Sequence, residues 1–128
     1  MTLRLLLPTD ISAARALWQA PQGVGLSASD DPAALQAFLS RNPGTSFVTE
    51  SKGRITGTIL VGHDGRRGLI HHLAVAPDQR RSGLGRALVV AGLAALRDQG
   101  IEKCHLMVFA DNAGGAAFWA GIGATRRS

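Results

Sequence analysis

At 128 residues, 45% of them hydrophobic, the chain has the size of one domain (residues 1–128) with a real core, which excludes a disordered protein. No apolar run reaches membrane-spanning length and no signal-peptide pattern opens the chain, so no membrane partner and a cytoplasmic location are expected. The net charge of +5 points to a polyanionic partner, but no aromatic residues interleave the basic ones, so nucleic-acid binding is the minor alternative.

Residues 3–7 are apolar and read as a strand ending at Pro8. Thr9 or Asp10 then caps a helix with Ile11, Ala14, Leu17 and Trp18 on one face, and it stops near Pro21. A Gly- and Ser-rich loop over 22–30 leads to Asp31-Pro32, an N-cap followed by proline at the first helical position. Leu35, Phe38 and Leu39 make the apolar face of this second helix, which Asn42-Pro43-Gly44 ends.

Residues 46–50 and 54–63 read as antiparallel strands joined at Ser51-Lys52-Gly53. A turn over 64–68 leads into a strand over 69–75. A helix over 83–99 follows, with Leu84, Leu88, Ala91, Ala95 and Leu96 on its buried side and Gly100 closing it. Residues 103–109 form a strand and 113–120 a short helix, with only 124–128 beyond. The order βααβββαβα predicts an α/β protein with a mixed, mostly antiparallel central sheet, helices on both faces, and a short or missing C-terminal strand. The lone Cys104, in the setting CHLMVF, reads as a buried thiol.

The chemistry concentrates between Leu69 and Leu88, LIHHLAVAPDQRRSGLGRAL. A strand runs through a Pro-Asp turn into an Arg-Ser-Gly loop and then a helix. Free backbone N–H groups and a helix N-terminus thus meet where Gly83 and Gly85 clear the approach and Arg80, Arg81 and Arg86 add positive charge. The local reading is a pyrophosphate cradle. Gly85 is followed by Arg86-Ala87 rather than Lys-Ser/Thr, which excludes a Walker loop, and Leu88 stands where a dinucleotide fingerprint needs its third glycine.

Arg80-Arg81-Ser82-Gly83-Leu84-Gly85 resembles the R/Q-x-x-G-x-G/A acyl-CoA loop of the GNAT N-acetyltransferase superfamily. Leu73-Ala74-Val75-Ala76-Pro77 looks like that family's fourth strand, and the stretch from Asn112 to Gly123 resembles its N…A..FY…GF segment. The two motifs stand in the right order and cover Phe47 to Ala124.

The resemblance implies acetyl-CoA as cosubstrate, in a cleft between strands ending at Val75 and Phe109. Leu73, Ala74 and Val75 would bond its pantetheine arm as an added strand. The segment from Arg80 through Arg81, Ser82, Gly83, Leu84 and Gly85 to Arg86 would hold its pyrophosphate. Asn112 and Phe118 are expected beside the cofactor, Asn112 also serving as a helix cap. Preorganised N–H donors suit the oxyanion formed when an amine attacks a thioester.

An alkylamine must lose a proton before it attacks. The family carries a base two or four residues ahead of the position of Leu73, here His71 and Leu69. Strand alternation sets His71 with Leu69, Leu73 and Val75 and turns His72 to the other face. His71 is therefore the candidate base, with Glu50 and Asp64 as weaker ones. The family's Tyr, which protonates the leaving thiolate, is replaced by Trp119, whose indole N–H is no useful acid. Asp30, Asp31 and Glu50 offer an acidic landing point for a cationic acceptor. The four histidines and one cysteine show no zinc spacing, so no metal is expected.

The expected function is acetyl-CoA-dependent N-acetylation of a primary amine on a small molecule or protein. A non-catalytic acyl-CoA binding or sensing domain is the alternative, and a basic nucleic-acid module a third reading. With so little chain after the last helix, the apolar edge formed by Cys104, Leu106, Met107, Val108 and Phe109 predicts a homodimer there, with Arg126 and Arg127 at its rim.

Overall fold

β1 (Thr2–Leu5), α1 (Ile11–Trp18), α2 (Pro32–Arg41), β2 (Phe47–Ser51), β3 (Arg54–His63), β4 (Arg67–Val75), α3 (Leu84–Asp98) and β5 (Lys103–Leu106) follow one another along the chain. They come from a computed structural model that describes residues 1–19, 28–106 and 118–121. The strands lie side by side in sequence order. The first four pair antiparallel, and β5 runs parallel to β4. A parallel pair needs a crossover, and α3 supplies it. Among the described residues no helix is long and apolar enough to cross a membrane.

Helices cover both faces of the sheet. Ile59, Val61 and Ile70 meet Leu88, Val89 and Leu96 of α3 on one face. On the other, Leu60 joins Ile11, Ala14 and Trp18 of α1 and Leu35 of α2. β3 is thus buried on both sides, in an unbroken stretch from Thr56 to Gly62. Gly62 lets α2 sit close: a Cβ there would lie 2.6 Å from Phe38 Cζ. On α3, Val89 and Gly92 are buried together with Leu84, Leu88 and Leu96, while Ala91 and Ala95 are half-buried at its margin.

Two of the boundaries that differ from the sequence reading have a clear local cause. β1 stops at Leu5, because the Leu7 N–H donates to the Asp10 carboxylate at 2.8 Å and residues 8–10 wind into a short 3-10 turn. β4 starts at Arg67, because Asp64 Oδ1 accepts from the N–H groups of Arg66 and Arg67 and tightens the turn to 64–66. Met107, Val108 and Phe109, and Arg126 and Arg127, lie outside the described residues.

Asp10 also receives both guanidinium ends of Arg4, at 2.7 and 3.0 Å. That bond holds its carboxyl below the usual carboxylate range against the opposing effect of burial, and the Leu7 N–H adds to it. A carboxylate with a lowered folded pKa contributes stability above its unfolded value of about 4, and that stability is lost as pH falls through the folded value. Asp10→Asn should therefore cost about 1 to 3 kcal/mol at pH 7. The gap to the native chain should close as urea melts are taken down below about pH 4.

Candidate active site

The site is organised by an irregularity in β4. Leu60 pairs with His72 and Val61 with Ile70, leaving His71 as the extra residue of a β-bulge. A bulge bends the strand and raises its twist. Among the described residues, β4 pairs with β5 from Arg67–Lys103 to Ile70–Leu106, and the bulge follows at once. Beyond it, Leu73, Ala74 and Val75 pair with Ile59, Thr58 and Gly57 of β3. Among the described residues, nothing pairs with the other edge of this segment.

The bulge also resets the faces, which corrects the alternation expected from sequence. Leu73 and Val75 pack with Ile70 on the α3 side. His71 and His72 both lie on the α1–α2 side. His71 meets Phe38 of α2 edge-on, ring centroids 5.1 Å apart, with its outer part exposed. His72 lies against Trp18, centroids 4.5 Å apart, and its Nε2–H donates to Asp30 Oδ1 at 2.7 Å. Partial burial, then the neighbouring His72, hold the His71 pKa below the ordinary imidazole value, with Asp30 acting in the opposite direction.

Past Val75 the backbone builds the loop. The Ala76 N–H donates to Thr56 O at 2.8 Å, and residues 77–79 form a 3-10 turn. Arg54 grips Asp78 with two bonds of 2.7 and 2.8 Å, which holds the Asp78 carboxyl down to about 2. Arg81 takes a left-handed φ of 64°, and the Ser82 hydroxyl donates back to Gln79 O. Gly83, with φ 84°, turns the chain into α3. The first bond of that helix runs from the Ala87 N–H to Gly83 O at 3.0 Å, and among the described residues no side chain caps its N-terminus. The N–H groups ahead of Ala87 are thus presented as anion donors with the positive end of the helix dipole behind them. A Cβ on Gly83 would meet nothing within 4 Å, so the approach is clear.

Arg80 and Arg81 are exposed beside this N-terminus. Arg86 instead reaches the Gly121 carbonyl at 3.4 Å. Phe118 closes on the first turn of α3, where a Cβ on Gly85 would lie 3.2 Å from its ring. Trp119 stacks edge-on with Phe118 and packs on the α3-side core, so its indole serves packing. Asn112 lies outside the described residues.

The acidic landing point is not assembled as expected. Asp30 is only 5% exposed and is committed to His72. Glu50 accepts from Arg4 Nε at 3.3 Å, so its charge faces a guanidinium. Asp31 is exposed at the start of α2 and accepts the Leu35 N–H through its backbone. Asp64 is used up by its turn. Cys104 is half-buried, and burial pushes its thiol up, as for an inert strand thiol. The described residues contain no group of three His, Cys, Asp or Glu able to hold a metal ion.

Residues 11–124 match the acetyltransferase (GNAT) family. The chain belongs to that family. Its members are acyl-CoA-dependent acetyltransferases that use acetyl-CoA. Acetyltransferase ECA0875 of Pectobacterium atrosepticum is 34% identical over 113 residues, covering 88% of this chain and 79% of that one. The chain spans about half, 55%, of the length of other curated acetyltransferases that it matches, such as SG1711 of Sodalis glossinidius. Ard1 from Thermoplasma volcanium shares the fold with a TM-score of 0.84 at 24% identity, over 99% of this chain and 84% of that one. The ribosomal-protein-S18-alanine N-acetyltransferase of Escherichia coli has a TM-score of 0.79 at 25% identity, over 99% and 79%.

Proposed function

We propose that this acetyltransferase acts on a primary amine, on a small molecule or at a protein N-terminus. The observation that carries the reading is a β4 edge at Leu73–Val75 that, among the described residues, has no strand partner, next to an α3 N-terminus behind Gly83 that none of their side chains caps. An extended pantetheine arm fits an unpaired strand edge, which offers alternating N–H and C=O groups. A pyrophosphate fits a helix N-terminus opened by a left-handed glycine. Arg80 and Arg81 add positive charge at the mouth, and Phe118 supports the first turn of α3. The protein-amine alternative draws on the S18-alanine enzyme among its structural relatives.

Trp119 favours a second reading. A half-buried indole packed against the core stands in place of an acidic hydroxyl and offers the thiolate no useful acid, which suits a domain that binds acyl-CoA without turning it over. One assay separates the two. Acetyl-CoA is mixed with the protein and an alanine-terminated peptide, a polyamine or an aminoglycoside, and released CoA thiol is followed. Release with one acceptor and none with buffer alone supports the transferase. Tight acetyl-CoA binding by calorimetry with no release from any of the three supports the binding domain.

A further inference from the structure

His72 and Asp30 form an enclosed pair on the α1–α2 side of the sheet. Both side chains are nine-tenths or more enclosed, 10% and 7% exposed. Asp30, a carboxylate, can only accept, so it fixes the neutral imidazole as the Nε2–H tautomer and leaves the lone pair on Nδ1. That nitrogen is buried and has no hydrogen-bond partner among the described residues. A buried polar atom without a partner costs about 1 to 3 kcal/mol, so an unmatched acceptor beside a working site implies a donor that arrives in use. His72 also directly precedes Leu73, the first residue of the unpaired edge.

We propose that His72, oriented by Asp30, takes the proton from the incoming amine at Nδ1, an assignment that rests on the N-acetyltransferase reading above. The ammonium gives one proton to Nδ1, directly or through one water, and the imidazolium that forms is stabilised by the Asp30 carboxylate. The freed nitrogen lone pair bonds to the acetyl carbonyl carbon while the carbon–sulfur bond breaks, its electron pair going to sulfur. The new amide nitrogen loses its extra proton to that thiolate, and His72 returns its own to solvent. His72 is the catalytic group and Asp30 its positioning residue. The arrangement repeats, with a different nucleophile, the logic by which a buried carboxylate sets the tautomer and orientation of a catalytic histidine.

Among the described residues, the charged and titratable groups around the pair are few. Arg15 of α1 donates from Nε to the Asp30 carbonyl at 2.9 Å, His71 adjoins His72 in β4, and His105 of β5 shares the sheet face opposite Leu69. β3 presents Leu60 and Thr58 there, and α2 presents Phe38.

The test has an arm that needs no acceptor. Nitrogen-15 NMR of the histidine rings in the native chain should show His72 protonated at Nε2 and bare at Nδ1, and Asp30→Asn should move that proton or mix the tautomers. A proton on Nδ1 of the neutral ring in the native chain overturns the proposal, whatever the activity. The second arm uses whichever of the three acceptors above releases thiol. Asp30→Asn and His72→Gln should each lower kcat about 100-fold, in the range of a lost general base, with acetyl-CoA affinity unchanged. The rising limb of the kcat–pH profile should disappear with His72. A merely structural clamp would lower melting temperature or raise KM and leave that limb in place, which overturns the proposal. Loss of the limb in His71→Ala but not in His72→Gln overturns it as well. If no acceptor reacts while the tautomer is as stated, it is the transferase reading that fails.

Discussion

Gly83→Glu should abolish measurable acetyl-CoA binding and leave the fold in place. The new side chain projects from the residue whose left-handed turn opens the α3 N-terminus, into space that holds nothing within 4 Å of its Cβ. Its carboxylate would stand where the pyrophosphate is proposed to sit. Like charges about 4 Å apart repel by about 1 kcal/mol in water and about 4 kcal/mol near a protein surface. With a doubly charged pyrophosphate, a loss of about 100-fold or more in affinity is expected, read by calorimetry. Gly83→Ala is the control. It carries the same backbone cost, about 1 to 2 kcal/mol for a side chain at positive φ, without the charge. Its affinity should stay within a few-fold of the native chain. Unchanged affinity in Gly83→Glu, with native circular dichroism, would move the pyrophosphate site elsewhere.

The largest stability effect is expected at Trp18. Its side chain is 1% exposed, packs with Leu35 and Leu60, and lies under the His72 ring. Its Nε1–H donates to the buried Thr58 hydroxyl at 2.8 Å. Trp18→Ala should cost about 3 to 5 kcal/mol, through lost transfer energy and the cavity left between α1 and the sheet. For a domain with a total of about 5 to 15 kcal/mol this is a large share. It should appear as a lower urea midpoint with an unchanged slope. Trp18→Phe keeps most of the volume but removes the donor to Thr58, and should cost roughly 1 to 2 kcal/mol by that route. Both variants also loosen the support of His72, so kcat should fall in both even where the chain remains folded.

Much of this protein was legible in its residues. The loop ahead of α3 is a local object: the Pro-Asp turn, Gly83 with its left-handed φ and the helix start lie within a few residues of one another, whereas the left-handed φ of Arg81 does not follow from its residue type. Asp31-Pro32 at the start of α2 and Gly100 closing α3 are local in the same way. Strand β3 was legible in its bounds, 54–63, while its burial on both faces, Thr56 and Thr58 included, came only with the helices. The motifs at Arg80 and Asn112 carried the family, since their order and spacing are covalent.

Other features were decided only when the chain closed on itself. His72 meets Asp30 across 42 residues, and Arg4 meets Glu50 across 46. No local pattern marks either pair. The expected acidic landing point became one buried carboxylate holding a histidine and another facing an arginine. The bulge at His71 is the sharpest case. One extra residue against β3 turns every following side chain of β4 to the opposite face, so strict alternation misplaced His71 relative to Leu73 and hid the role of His72. The two histidines are chemically identical in sequence. What distinguishes them is the hydrogen-bond register with β3 and the partners that α1 and the turn at Asp30 bring to that face, and these depend on tertiary packing alone.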